Sequence, residues 1–451
     1  MKGKFWFAVV VPAVVIAGAA VVAVTARRPE WTTSSPEALA EFLQGQDALD
    51  KVYKDEAHEH FAKAAALDPG FVAAKLFVYG TLDGPAMDTQ GGKILEELAA
   101  ADPTKLTERE AFLIRYALAD KGKIAVKPEV VLDGYAGKHP DDPFVLNLEV
   151  GIATAHQNWP EARRLLTRLI EVAPNRVSAY NDLGYLAMGQ GRFAESEKMF
   201  QTYRYIAPDQ ANPHDSLGEL LILVGRYAEA RKELEEALRI KPDFCASYGH
   251  LVNLAEFEEK PDLAEDAIQR AQNLGKCTGY ALQLMRCEAA VRPPALARDW
   301  EGIWKASEAN CVIDPKEGPT DIVALWAALM TGRRDAVAAR EERLHAQLAK
   351  AGTGGGKLFN EALLAHLEGA RLLMDGNLAE AAARFRFADQ GFSYRELPLG
   401  SLKMFNRLAL ARTLQLSGVA DEAAAELEEV RSVNPDFAGP VMPLLATVPG
   451  R

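Results

Sequence analysis

Four cysteines, Cys245, Cys277, Cys287 and Cys311, lie within one 67-residue stretch of the 451-residue sequence. Their spacings include no Cys-x-x-Cys pair, so the signatures of a structural zinc site and of a thioredoxin-type redox site are absent. Two interpretations stay open. The cysteines are either small buried helix residues or form one or two disulfides, in any of three connectivities if all four pair. Disulfides would require an oxidising compartment.

His58 and His60 form the densest histidine cluster. Residues two apart on a helix point about 200° away from one another, so these side chains cannot share a metal ion as an i, i+4 pair does. We interpret them as part of a solvated helix face. We predict no metal site and no cofactor for this chain.

The glycine-rich segment 352–358 has a superficial likeness to a phosphate-binding loop. Its spacing fails, because Ala351 stands where the first glycine belongs. Its chemistry fails too, because Leu358 replaces the Ser or Thr that would bind Mg²⁺. We interpret the segment as a loop between helices.

The segment 215–218 could be compared with the turn that carries a nucleophilic serine, but His214 occupies the position of its first glycine. No catalytic pair of side chains is evident elsewhere. We therefore predict that the protein is not an enzyme. An enzyme with an unrecognised site in residues 292–360 is an alternative.

A sequence repeat predicts the helices on which a functional site would lie. Pro174, Pro208 and Pro242 are spaced by 34 residues, and the sequence between them repeats as well. With each proline at position 32, the unit from Val177 has Tyr180, Leu183, Gly184, Ala187, Ser196, Phe200 and Pro208 at recurring positions. The unit from Ala211 has Leu217, Gly218, Leu221, Ala230, Leu234, Ala237 and Pro242. The pattern predicts two helices per unit, which approach closely at the glycines.

This pattern resembles the tetratricopeptide repeat, a helix-turn-helix unit. The resemblance is strong over units 177–244, moderate in parts of the flanking sequence, and degenerate over about 81–141 and 292–351. It implies an all-α fold, a right-handed superhelical solenoid in which stacked units bury one continuous core. The glycines that precede Arg192 and Arg226 are expected to end the first helix of each unit.

Residues 5–25 carry no charge over 21 positions, a length that spans a hydrocarbon core of about 30 Å as a helix. We predict a transmembrane helix that precedes the solenoid, with a cleaved signal peptide as the alternative. Lys2 and Lys4 are balanced by Arg27 and Arg28 across it. We expect a single-pass cell-membrane protein whose repeats are exported to the periplasm, and the cytoplasmic orientation stays open.

The predicted organisation has six parts. They are an N-terminal transmembrane anchor (1–28), a linker (29–36), the repeat solenoid (37–291), degenerate helical repeats (292–356), C-terminal repeats (357–438) and a tail (439–451).

In the family that this sequence resembles, the first helix of each unit lines a concave groove at positions 2, 5, 9 and 12. The resemblance therefore implies a partner-binding groove at Ser178, Asn181, Tyr185, Met188, Asn212, Asp215, Glu219, Ile222, Asn253 and Glu256. Chaperone-binding members have Lys, Arg and Asn there, whereas this chain has Asp215 and Glu219. We expect a partner with a basic segment, and we expect both carboxylates to face away from the packing side of the helix.

The formal net charge is −12. A nucleic-acid binder needs a clustered basic face, which this sequence lacks, so nucleic acid is excluded as a partner. The sequence predicts a non-enzymatic, membrane-tethered scaffold that binds a protein or peptide through its groove. A chaperone-like factor for envelope assembly or quality control is the alternative. The pattern indicates neither an oligomeric state nor the identity of the partner.

Overall fold

The computed structural model describes residues 30–82, 87–277, 279–312, 322–350, 355–395, 401–437 and 443–448. Over these ranges it contains 22 α-helices and no β-strand, which confirms the all-α prediction. A π-helical turn at Met87–Gly91 and a 3₁₀ turn at Pro103–Lys105 accompany them.

The helices of the first half are α1 (Pro36–Asp50), α2 (Lys54–Leu67), α3 (Val72–Thr81), α4 (Gly92–Ala99), α5 (Glu108–Asp120), α6 (Pro128–Ala136), α7 (Pro143–Ala155), α8 (Trp159–Val172), α9 (Ser178–Gly189), α10 (Phe193–Ile206), α11 (Ala211–Leu223) and α12 (Tyr227–Ile240). Those of the second half are α13 (Cys245–Phe257), α14 (Pro261–Leu274), α15 (Gly279–Leu296), α16 (Trp300–Asn310), α17 (Ile322–Met330), α18 (Arg334–Lys350), α19 (Gly355–Met374), α20 (Leu378–Gly391), α21 (Ser401–Leu416) and α22 (Ala420–Val433).

Consecutive helices pack as hairpins. The clearest are α1 with α2, α7 with α8, α9 with α10, α11 with α12, α13 with α14, α15 with α16, α19 with α20, and α21 with α22. From α7 onward, each hairpin also packs on the next, as α10 does on α11 and α12 on α13. The predicted solenoid of stacked helix-turn-helix units is therefore observed.

The glycines of the repeat lie where the two helices of a unit touch. A Cβ atom added to Gly218 would lie 2.8 Å from the Leu234 side chain, and one added to Gly184 would overlap the Phe200 ring. Phe200 and Leu234 are fully buried. The close approach predicted from the sequence is thus confirmed in both units.

The turn inside most hairpins contains one residue in the left-handed backbone region. Gly191 and Gly225 adopt it with φ of 73° and 77°, as expected of glycines that end a helix. In other hairpins, non-glycine residues adopt it, as Gln157 does with φ 53°. The same backbone geometry is therefore kept in hairpins that lack the glycine of the repeat pattern.

The part of the predicted linker that the structure describes is packed against the body. Trp31 is buried, and its ring centroid lies 4.7 Å from that of Phe42. The Thr32 amide donates a 2.7 Å hydrogen bond to the buried Glu110 carboxylate. These contacts fix the point at which the chain enters the solenoid.

Residues 1–29, which include the predicted membrane span 5–25, lie outside the described residues. Within the ranges that the structure describes, no helix has both the length and the apolar character needed to cross a bilayer. Over those ranges, this finding contradicts the localisation predicted from the sequence, a single-pass protein of the cell membrane with an exported repeat domain.

All four cysteines are paired, Cys245 with Cys277 and Cys287 with Cys311, with Cα–Cα distances of 5.5 Å and 4.7 Å. The first bond joins the start of α13 to the segment after α14, and the second joins α15 to the end of α16. Each disulfide therefore closes one hairpin. Of the pairings left open by the sequence, the structure shows these two.

The solenoid is wound so tightly that its successive turns touch. The Ala211 amide donates a 3.0 Å hydrogen bond to the Tyr53 hydroxyl, which comes from the first hairpin. On the other side, the Tyr227 hydroxyl donates to the Asn434 side chain at 3.2 Å, and Asn434 donates to the carbonyl of Ile222 at 3.3 Å. The middle repeats are thus held between the first and the last ones.

Candidate binding cavity

The ten predicted groove residues lie on α9, α11 and α13, and all are buried or partly buried. Met188 and Ile222 are 0% exposed and belong to the hydrophobic core. Residues of the C-terminal repeats cover this face of the helices. The Tyr394 amide donates to the carbonyl of Gly189 at 3.4 Å, and Asn434 donates to that of Ile222. Met188 and Ile222 therefore offer no surface to a partner in this structure.

Five of the polar side chains on this face form one hydrogen-bonded cluster. Tyr185 donates to the Glu219 carboxylate at 2.6 Å, and His250 Nδ1 lies 2.9 Å from Asp215 Oδ1. Ser247 donates to the same Asp215 oxygen at 2.6 Å. His250 Nε2 lies 3.8 Å from Glu219 Oε2, so the imidazole bridges the two carboxylates. Side chains of α9, α11 and α13 are joined in this way.

The negative charge of this cluster is partly neutralised by its own histidine. Burial alone lowers the pKa of His250, but the carboxylates of Asp215 and Glu219 outweigh it and raise that pKa to about 9. A protonated His250 therefore neutralises part of the acidic charge. The expectation that Asp215 and Glu219 face away from packing is corrected for Asp215, which is 3% exposed and hydrogen-bonded within the structure.

The same cluster lacks the order of a nucleophile, a base and an orienting carboxylate. Asp215 accepts from both Ser247 and His250, whereas a catalytic triad places the histidine between the other two. A histidine with a pKa near 9 is also a poor general base at neutral pH. We interpret the cluster as a structural tie between repeats.

A cavity of 730 Å³ lies in the adjacent part of the solenoid, between the first hairpins and α9. Its apolar lining consists of Leu49, Phe77, Phe144, Val150, Ala155, Leu166 and Leu186. Its neutral polar lining includes Gln46, Asn147, Thr154 and Ser178. Its charged lining consists of Asp50, Arg176, Asp182 and Arg395. We call this space the large cavity.

The charged groups of the large cavity differ in how they are satisfied. The Arg176 guanidinium lies 5.0 Å from the centroid of the Phe144 ring and 3.9 Å from Asp50, and the Arg395 guanidinium lies 5.0 Å from that of Tyr185. Asp182 has no hydrogen bond or ion pair with any residue that the structure describes. Burial raises the pKa of its carboxyl, and the charge of Arg395 offsets this only in part.

A second, smaller cavity of 320 Å³ adjoins the first. The two share wall residues Thr154, Ala155, Leu186 and Arg395. The residues that line only the second cavity include the large side chains of Trp159, Tyr185, Leu358 and Phe359, of which the last two belong to α19. We call it the small cavity.

Sequence reasoning placed Ser178 and Tyr185 in a groove, and the structure places Ser178 in the large cavity and Tyr185 in the small one. It missed Asp182, although this residue is one helical turn from Ser178 and a wider choice of positions in the first helix would have included it. Arg395 carries no signal in the repeat pattern, since it reaches the cavity from a different turn of the chain.

The histidines singled out in the sequence have separate partners. His58 is hydrogen-bonded to Thr81 at 2.9 Å, and His60 to Glu41 at 2.8 Å. Over the part of the chain that the structure describes, no three His, Cys, Asp or Glu side chains are grouped as metal ligands would be. Residues 352–354 of the glycine-rich segment lie outside the described ranges, and residues 355–358 form the start of α19 and not the predicted loop.

Comparison with known proteins supports the resemblance of this repeat to the tetratricopeptide repeat. The family model of the tetratricopeptide repeat matches residues 214–244, which cover most of α11 and all of α12. None of the curated proteins matches the chain. The crystal structure of the APC/C hetero-tetramer Cut9–Hcn1 is similar at 14% identity, covering 90% of this chain and 76% of that chain, with a TM-score of 0.47.

A second solved structure, the TPR domain of P58(IPK), is similar at 12% identity and covers 92% of this chain and 99% of that one. Its TM-score is 0.22, so the course of the solenoid is not inferred from it. The 34-residue spacing, the glycine contacts within each hairpin and the family match agree with one another. This chain therefore carries tetratricopeptide repeats.

Proposed function

We propose that this chain is a non-enzymatic binding protein that takes a segment of a partner protein into the large cavity. Stacked helical repeats form protein-interaction scaffolds, and they bind on the inner surface of the superhelix. The cavity is lined by residues of α1, α7 and α9, each of which is the first helix of its hairpin. The proposal therefore rests first on the tetratricopeptide repeats of this chain.

The large cavity is the observation that carries the proposal. Its volume of 730 Å³ falls within the range of about 300–1,000 Å³ that is typical of ligand sites. Its walls combine aromatic and aliphatic side chains with a few polar groups, as binding sites do. Of the groove residues predicted from the sequence, Ser178 lines this cavity. Met188 and Ile222 are buried in the core, and the other seven stay predictions.

A single glycine offers a way to block the cavity without damaging the fold. Gly151 lies in α7 and lines the large cavity, and a Cβ atom added there would meet no atom within 4 Å. A Cβ atom therefore has room at this position, and we expect the ring of Gly151→Phe to occupy part of the cavity. It should also favour the helix, because glycine inside a helix is less stable than most other residues.

Gly134 provides the matched control. It lies in α6, is exposed, has the same freedom from contacts and does not line the cavity. We would select phage-displayed random dodecapeptides on the purified chain and measure the affinity of the enriched peptides for both variants. We expect Gly151→Phe to abolish binding and Gly134→Phe to leave it unchanged.

Equal binding by both glycine variants would show that the cavity is not the site. Enrichment of many unrelated peptides, all lost with Gly151→Phe, would favour the chaperone-like alternative, since such a factor captures chains broadly. Enrichment of one motif would favour a scaffold with a defined partner.

A further inference from the structure

We propose that the recognised segment carries a basic side chain that pairs with Asp182 and, close to it in sequence, an apolar side chain that fills the small cavity. The inference rests on the proposed function, because it names the chemistry of the segment that the large cavity takes.

Among the carboxylates that line the large cavity, Asp182 is the one with no hydrogen bond or ion pair to a described residue, and the charge of Arg395 offsets its burial only in part. Asp215 and Glu219 share the bridging His250, and Asp50 faces Arg176 at 3.9 Å. Asp182 lines the large cavity and makes no hydrogen bond or ion pair with any described residue. A desolvated carboxylate is stabilised by a cation placed beside it. A Lys or Arg side chain of the partner would supply that cation.

The two arginines of the cavity do not turn this into a site for an acidic segment. Arg176 already lies between the Asp50 carboxylate and the Phe144 ring, and Arg395 lies over the Tyr185 ring. An acidic side chain placed near Asp182 would bring two like charges together in a partly desolvated space. Charge complementarity therefore favours a basic side chain at this point.

The small cavity supplies the second requirement. Trp159 and Phe359 contribute aromatic surface to its lining, and Leu186 and Leu358 contribute aliphatic surface. A volume of 320 Å³ can hold a leucine or an aromatic side chain. Because Leu186 and Arg395 belong to the walls of both cavities, a chain that places one side chain at Asp182 can place a nearby one here.

The experiment uses a positional-scanning library of acetylated and amidated octapeptides, with binding measured by fluorescence polarisation on the full chain. Two variants separate the two requirements. Asp182→Asn should remove the preference for Lys and Arg, by about tenfold or more, and keep the apolar preference. Trp159→Ala should weaken the apolar preference and keep the basic one. Asp133→Asn, on the exposed face of α6, is the matched control and should change neither.

The outcomes distinguish this inference from the proposed function. If peptides bind and Gly151→Phe abolishes the binding, yet Asp182→Asn leaves the Lys and Arg preference unchanged, the inference is wrong and the cavity remains the site. Enrichment of acidic peptides would also overturn it. If no peptide binds, or binding survives Gly151→Phe, the proposed function itself fails.

Discussion

His250 Nδ1 donates a 2.9 Å hydrogen bond to Asp215 Oδ1 and thereby joins α13 to α11. The histidine is held protonated by two carboxylates, since Glu219 lies on its other nitrogen at 3.8 Å. Three repeats meet at this cluster, because Tyr185 of α9 donates to Glu219. The stability of the middle repeats should therefore depend on the charge of His250.

We predict that stability falls as pH rises from about 6.5 to 9. Although burial opposes it, the neighbouring carboxylates raise the pKa of His250 to about 9, so the folded chain holds a proton that the unfolded chain releases. The contribution is complete below pH 6.5 and is lost through pH 9, at up to about 1.4 kcal/mol per pH unit. Urea denaturation across this range would measure it. His250→Gln should remove this dependence, and an unchanged slope in that variant would refute the assignment.

Asp182 and Asp215 should respond in opposite directions to the same substitution. Asp215→Asn removes a charge that His250 needs, and we expect a loss of about 3 kcal/mol in the free energy of unfolding. Asp182→Asn removes a desolvated and unpaired carboxylate, and we expect a gain on the order of 1 kcal/mol. Chemical denaturation at pH 7 compares the two. A loss of stability in Asp182→Asn would mean that Asp182 has a structural partner.

His366 should make the C-terminal repeats sensitive to acid. Trp326 Nε1 donates to His366 Nε2 at 2.9 Å, so Nδ1 carries the proton that is donated to Asn406 Oδ1 at 2.8 Å. Burial lowers the pKa of His366 to about 4, against a weaker opposing effect of the Asn406 hydrogen bond. The neutral form therefore stabilises the fold above pH 6.5, and this stability is lost as pH falls toward 4.

Denaturation of the wild type and of His366→Gln between pH 4 and 7 would measure the effect of His366. The variant should be less stable at pH 7, by about 2 kcal/mol, because it cannot keep both hydrogen bonds in the same geometry. It should also show a shallower loss toward pH 4. Parallel curves for the two proteins would rule out His366 as the titrating group.

The two disulfides should appear as two separate linkages. Mass spectrometry of a digest prepared without reductant should recover Cys245 joined to Cys277, and Cys287 joined to Cys311. Replacing both members of either pair by serine should lower the free energy of unfolding by about 3 kcal/mol, because the loop of the unfolded chain is no longer closed. Four thiols that react after unfolding without reductant would contradict both linkages.

Alanine substitutions at two glycines should test the close approach of helices. Gly184→Ala would push a Cβ atom into the Phe200 ring, and we expect a loss of about 2 kcal/mol. Gly151→Ala meets no atom within 4 Å and should stabilise α7 by about 0.5–1 kcal/mol. Thermal melting of both variants decides the matter. If both shift the melting temperature equally, the helices of unit 177–208 are not in contact at Gly184.

The sequence predicts the local part of this fold well. Gly184 and Phe200 belong to one repeat, and their contact follows from a pattern that spans a single hairpin. The binding cavity depends on how far the superhelix is wound, which no single repeat encodes. Tyr227 and Asn434 are 207 residues apart and yet hydrogen-bonded. Such contacts bury Met188 and Ile222 and bring Arg395 beside Tyr185, so the exposed groove expected from an open solenoid is not the one observed.

The contacts between turns also change how this molecule should lose its structure. In an open solenoid each repeat touches only its neighbours, so the ends fray first and unfolding spreads unit by unit. Here Tyr53 from the first hairpin and Asn434 from the end of the last both rest on the repeat formed by α11 and α12. Loosening either end removes support from the middle, and loosening the middle releases both ends. The chain should therefore behave as one cooperative body, built from repeats but without their usual independence.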